Sequence, residues 1–103
     1  MSKTPFSNKC DILSELWLGY REVAETNEAW QGFFQYNDVA LPMSYMIAEG
    51  LVEPAADGEA ERLIDETWVM LCTYIDIDFA GEYSSLAEVF EASPMPRLEE
   101  TNE

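Results

Sequence analysis

The chain has 103 residues, 21 acidic and five basic side chains and no histidine. Its formal charge of −16 lies far beyond the roughly 2–8 that solubility asks of a small domain. Such a field repels nucleic acid and anionic membranes and attracts basic surfaces, while the missing histidine removes the usual general base, the Ser–His and Cys–His nucleophile pairs and most transition-metal sites.

With 48% hydrophobic and 13% aromatic residues, the chain has material for one packed domain, unlike disordered acidic sequences, which lack both. Ser7 and Asn8 are capping residue types. Ile12, Leu13, Leu16, Trp17, Tyr20 and Val23 then recur with helical period and predict a first helix over about 8–25. Thr26-Asn27 ends that helix and caps a second over about 28–36, with Trp30, Phe33 and Phe34 facing inward. Asn37-Asp38 breaks the run. Pro42 disfavours the helical conformation at Leu41 and suits position N1 of a third helix, running to Glu49 with Met43, Met46 and Ile47 on one side. Gly50 supplies the left-handed residue after it, and Leu51 the hydrophobic contact behind.

The stretch from Val52 to Gly58 reads as a loop. Asp57 caps a long fourth helix that reaches about Ile77. Its core stripe is Ala60, Leu63, Ile64, Thr67, Trp68, Leu71, Tyr74 and Ile75. Val69, Met70 and Cys72 make its later turns apolar nearly all round, the pattern of the most buried helix in a bundle. Ala80-Gly81-Glu82 is a turn, and Ser85 with Glu88 forms a capping box ahead of a short helix bearing Leu86, Val89 and Phe90, stopped at Ser93-Pro94. The expected fold is all-α: a compact single-domain bundle of four main helices plus a short C-terminal one over 1–93, with a flexible acidic tail over 94–103. Cys10 and Cys72, too few for a disulfide framework and set among apolar positions, are expected as buried free thiols. No apolar run approaches the ~18 residues of a membrane span, and the N-terminus lacks a signal peptide's apolar stretch, so a cytoplasmic protein is expected.

Charge is distributed unevenly. Between Glu22 and Glu103 stand nineteen carboxylates and two cations, Arg62 and Arg97. On the first helix Asp11, Glu15, Glu22 and Glu25, with Leu18 between them, fall along one face. Like charges at i,i+4 cost a helix a few tenths of a kcal/mol each, so the stripe is either an ordinary solvated face or is kept for a partner. Glu61 and Asp65 on the fourth helix, and the water-tolerant aromatics Tyr36 and Tyr45, complete the candidate partner-binding set.

Two chemical motifs compete with this reading and fall short. Asp76-x-Asp78 with Gly81 resembles the opening of a calcium loop, but Ala80 offers no side-chain oxygen at the fifth position and Ala87 stands at the twelfth. Glu22-x-x-Glu25 and Glu88-x-x-Glu91 pair carboxylates as all-α nucleotide pyrophosphohydrolases do to hold Mg²⁺. The cations needed to receive a triphosphate are almost absent. No catalytic, metal or cofactor residue is expected.

The stretches Phe6-Ser-Asn-Lys-Cys-Asp-Ile-Leu13 and Phe34-Gln-Tyr-Asn-Asp-Val-Ala-Leu-Pro-Met-Ser-Tyr45, with the long helix containing Glu66-Thr-Trp68, resemble a group of small acidic proteins of marine tailed phages. The resemblance runs to about Leu86. It implies a phage accessory protein in a bacterial host's cytoplasm and carries over no site residue.

The leading expectation is therefore a non-enzymatic protein that docks a basic surface of a host or phage protein. Its sharpest form is nucleic-acid mimicry, rows of carboxylates imitating the one charge per ~1.7 Å of B-DNA. The alternative is an assembly chaperone or structural component with an exposed apolar groove near Met43, Tyr45 and Met46. A third reading takes the acid as suited to a salty cytoplasm, with no partner implied. Neither membrane nor nucleic acid is an expected direct partner, and the oligomeric state stays open.

Overall fold

The computed structural model describes residues 4–53 and 58–94. Five helices follow one another: α1 (Phe6–Glu25), α2 (Glu28–Tyr36), α3 (Ala40–Ala48), α4 (Glu59–Ile75) and α5 (Leu86–Ala92). No strand occurs among the described residues, and the all-α bundle is the architecture that the helical periodicities predict. The Cα radius of gyration of 13.1 Å matches the ~13 Å of a compact domain of about 100 residues.

Local signals set most helix ends. Asn27 accepts a hydrogen bond from the Trp30 N–H at 3.2 Å and starts α2. At the end of α3, Gly50 takes φ +76°, its N–H donates to the Ile47 carbonyl and Leu51 N–H donates to that of Met46. This is the double bond pattern of a Schellman stop. Leu51 itself stays mostly exposed.

Four expectations need correction at this level. First, α1 begins at Phe6 behind Pro5 without a side-chain cap; Asn8 instead donates to the Tyr83 carbonyl at 3.3 Å. Second, α3 begins at Ala40, which puts Pro42 third. Leu41 N–H reaches the Asn37 carbonyl and Met43 N–H that of Val39, so the proline forgoes only the bond between them, in a first turn whose donors commonly lack helical partners. Third, α4 ends at Ile75 rather than Ile77. Asp76 takes a left-handed conformation, φ 63°, with Ile77 N–H donating to the Cys72 carbonyl. Gly58 precedes α4, and the expected cap Asp57 and the tail beyond Pro94 lie outside the described residues. Fourth, the capping box of α5 is displaced. Ser85 Oγ accepts from Glu88 N–H as expected, but the Glu88 carboxylate reaches back to the N–H and Oγ of Ser84, at 2.7 and 2.8 Å. Those two bonds favour the ionised carboxyl and hold it below the usual range.

The hub of the bundle is α1, not α4. It packs against all four other helices, burying Cys10, Ile12, Leu13, Leu16, Tyr20 and Ala24. Cys10 and Cys72 are both free and buried, and loss of hydration raises their thiols to about 11 and about 12. An aromatic cluster closes the other side of the core. Trp30 meets Tyr74 edge-on at 4.8 Å between ring centroids, and Tyr20 packs on Phe90 at 5.4 Å. Trp68 is fully buried, and its indole N–H has no partner among the described residues. At the N-terminal end Thr4 Oγ1 donates to the Gly81 carbonyl at 2.8 Å and accepts from Tyr83 N–H at 3.3 Å, which staples the loop before α5 to the start of α1. A Cβ at Gly81 would lie 2.8 Å from the Tyr83 hydroxyl and 3.2 Å from the Asp78 carbonyl, so a side chain there would displace the Tyr83 ring.

Candidate functional site

The later turns of α4 are apolar on more faces than the fold covers. Ile64, Trp68, Leu71, Cys72 and Ile75 face inward and are buried, whereas Val69 is 40% exposed and Met70 and Tyr74 are half-buried. The expectation that this helix is surrounded on all sides fails here. Val69, Met70, Thr73 and Tyr74 instead form the floor of an open trough of about 1040 Å³. Tyr36, at the last turn of α2 and 76% exposed, bounds the trough, and Glu61, Arg62, Asp65 and Glu66 line its other end.

Packing and polar bonds fix this floor. Tyr74 is held by the Trp30 ring and by Phe33, stacked at 6.1 Å, and burial raises its hydroxyl above the ordinary tyrosine range. Met70 is anchored from beneath. The Asn37 amide is buried where α2 gives way to α3; its Nδ2 donates to the Phe33 carbonyl at 2.9 Å and approaches Met70 Sδ at 3.5 Å, and its Oδ1 accepts from Thr67 Oγ1 at 2.8 Å. Every polar atom of that amide is thereby engaged, as a buried amide demands. The node ties the segment that follows Tyr36 to the α4 floor.

The acidic end has its own construction. Lys9 on α1 is buried, with its ammonium 2.7 Å from Asp65 Oδ1, while the Asp65 side chain is half exposed into the trough. Arg62 lies 3.5 Å from both Glu59 and Glu66, and all three are more than half exposed, so these contacts contribute little to stability. Glu61 forms no ion pair among the described residues. Four carboxylates, Glu59, Glu61, Asp65 and Glu66, thus face two cations, Lys9 and Arg62, and the mouth keeps a negative excess.

Of the eight candidate residues, three meet here: Tyr36, Glu61 and Asp65. The α1 stripe does not join them. Asp11 and Glu15 line a separate small cleft with Glu49, Ser84 and Ser85, where the Glu15 carboxylate accepts from Leu86 N–H at 3.3 Å and steadies the start of α5. Leu18, 48% exposed, interrupts the row. Glu22 is exposed, and Glu25 lines a third cleft with Trp17 and Arg21, whose guanidinium sits 4.5 Å over the Trp17 ring. Tyr45 packs its ring on Trp17 at 5.6 Å and is half-buried rather than presented to solvent. Met43 packs against the core, and neither it nor Tyr45 nor Met46 lines the trough. The sequence reading missed Val69, Met70 and Thr73 as site residues; the signal for them was the surplus apolar breadth of α4, taken there as burial.

Chemically the trough offers an apolar floor, two tyrosine rings and a carboxylate rim. No group of three or more His, Cys, Asp or Glu among the described residues is placed to hold a metal ion. Asp78, one of the two calcium-loop aspartates, spends a carboxylate oxygen on Ala80 N–H at 3.0 Å. No helix among the described residues is long and apolar enough to cross a membrane. Comparison of the chain with protein-family models, with curated proteins and with solved structures gives no match. Function is therefore read from the trough's own geometry and charge.

Proposed function

We propose that this protein is a non-enzymatic binding module that holds a basic partner protein in the acid-rimmed apolar trough of α4. The observation that carries this reading is the coincidence, at one place, of incompletely covered apolar side chains with a surplus of carboxylates: Val69, Met70 and Tyr74 beside Glu61, which forms no ion pair among the described residues, and beside Asp65 and Glu66, which pair with Lys9 and Arg62. Apolar side chains gathered in a concavity, rather than scattered singly over a surface, are the usual lining of a binding site. The net charge of −16 selects the sign of the partner and accelerates its approach. The trough is open along its length, so it fits a protruding polypeptide segment better than a small molecule, most of whose surface a ligand pocket encloses. The resemblance to marine phage proteins suits an accessory protein that captures a host or phage component. Nucleic-acid mimicry by the α1 stripe is the weaker form, because Glu15 is committed to α5 and Leu18 divides the row.

The test is the affinity of a lysine-rich amphipathic peptide, measured by anisotropy for the wild type, for Val69→Gln and for the triple change Asp11→Asn, Glu22→Gln, Glu25→Gln. The expected result is about a tenfold loss in Val69→Gln, the cost of a polar group in an apolar contact. The triple variant should lose no more than a fewfold, through long-range field alone. The opposite ranking would move the site to α1 and reject the proposal.

A further inference from the structure

Resting on that reading, the geometry points to the form of the partner: a cationic amphipathic α-helix of about four turns that lies antiparallel to α4, with its apolar residues in its first turns and its lysines or arginines in its last. Three observations lead there. The trough runs along α4 from Gly58 to Tyr74, which at 1.5 Å per residue is about 24 Å, the length of a helix of about 16 residues. Its charge and its apolar surface are separated along that axis rather than across it. Glu61, Asp65 and Glu66 lie in the early turns and Val69, Met70 and Tyr74 in the late ones, with centres about 10 Å apart by the same rise. A complementary ligand must be polarised in the same direction.

The secondary structure of the ligand follows from the backbone. Between its first and last turns helix α4 spends its own N–H and C=O groups internally, and no strand is present among the described residues to offer an edge. An extended peptide in the trough would find no backbone ladder and would leave its main chain to water. A helix satisfies its own. The outer face of α4 also presents Arg62, Glu66, Val69 and Thr73 at spacings of four, three and four, a ridge of the kind that packs into the groove of a second helix.

Orientation follows from dipoles. Cations stabilise the C-terminal end of a helix, where the macrodipole is negative, and weaken its N-terminal end. A partner whose cations must sit beside Glu61 and Glu66 therefore folds more readily when those cations occupy its last turns. Its C-terminus then lies against the N-terminal half of α4, and the two dipoles oppose. A second copy of this chain is a poor occupant, because two bodies of −16 repel.

Two synthetic peptides of 16 residues and identical composition decide the matter, one apolar-first and basic-last, the other its reversed sequence. Each is titrated by anisotropy against the full chain, Val69→Gln and Glu61→Gln/Glu66→Gln, with circular dichroism of the mixtures. The expected result is about tenfold tighter binding of the basic-last peptide, a gain of helical signal on binding, and weaker binding of both peptides in Glu61→Gln/Glu66→Gln. Equal binding of the two orders, with Val69→Gln weakening both, overturns the antiparallel helix and leaves the basic-partner trough standing. Binding without added helical signal also overturns it. Binding of both peptides unaffected by Val69→Gln rejects the trough itself.

Discussion

Lys9 and Asp65 form the one ion pair in the described structure that joins a buried cation to the rim of the trough, and the two partners are unequal. The Lys9 side chain is 9% exposed and that of Asp65 49%. Truncating Asp65 to alanine strands an ammonium group under α4; truncating Lys9 leaves only a carboxylate facing water. Breaking a fully buried pair costs about 3–5 kcal/mol and an exposed pair about 0–1 kcal/mol. With one partner buried and the other half in water, Asp65→Ala should cost about 2 kcal/mol, midway between those limits. Lys9→Met keeps an unbranched side chain of similar length in an apolar position and should cost less than about 1 kcal/mol. In the double variant the stranded charge is gone, so its stability should return to that of Lys9→Met, a coupling of about 2 kcal/mol.

Thermal and urea unfolding of the four proteins complete the cycle. For a domain of this size 1 kcal/mol moves Tm by about 4–8 °C, so Asp65→Ala should melt about 10 °C below the wild type. The pair also sets the charge of the trough. Lys9→Met releases the Asp65 carboxylate to the partner and should tighten binding of a basic peptide about fivefold, one unit charge at contact distance in a watery surround being worth ~1 kcal/mol. Asp65→Ala should weaken it. Equal destabilisation by the two single changes, or additive costs in the double variant, would refute this account of the buried lysine.

The left-handed Asp76 at φ 63° occupies a position glycine takes without strain, so Asp76→Gly should raise stability by about 0.5–1 kcal/mol in urea unfolding. Burial raises the Cys10 and Cys72 thiols from 9.0 to about 11 and about 12. Their contribution to stability is complete below pH 9 and is lost as the pH climbs through the values of the folded state. Stability should therefore fall between pH 9 and about 12, and Cys10→Ala/Cys72→Ala, though less stable at neutral pH, should show a shallower alkaline decline.

What the sequence revealed was local. The Asn27 cap, the Gly50 stop and the Ser85 cap each depend on residues within five positions, and each was legible. The burial of Trp30, Phe33, Cys10 and Cys72 followed from helical period and side-chain type. Lys9 was not legible as a buried group, because its partner is 56 residues away and nothing local marks it. The Asn37–Thr67 bond, 30 residues apart, was hidden for the same reason; a break signal such as Asn37-Asp38 does not announce that the amide turns inward. Val69 and Met70 show a different limit. Periodicity says which side chains are apolar, but whether a neighbouring helix covers them depends on the packing of the whole bundle. In this chain α2 ends at Tyr36, and among the described residues nothing covers the outer face of α4 beyond it.

The central claim is that a basic partner docks on α4 and not on α1. Amide chemical-shift mapping of the labelled protein, titrated with a lysine-rich amphipathic helical peptide, tests it most directly. The expected perturbations cluster at Tyr36, Glu61, Glu66, Val69, Met70 and Thr73, and fade as salt is raised toward the point where the Debye length falls to about 3 Å, near 1 M. Perturbations confined to Asp11, Glu22 and Glu25, or spread evenly over all acidic residues, would contradict it.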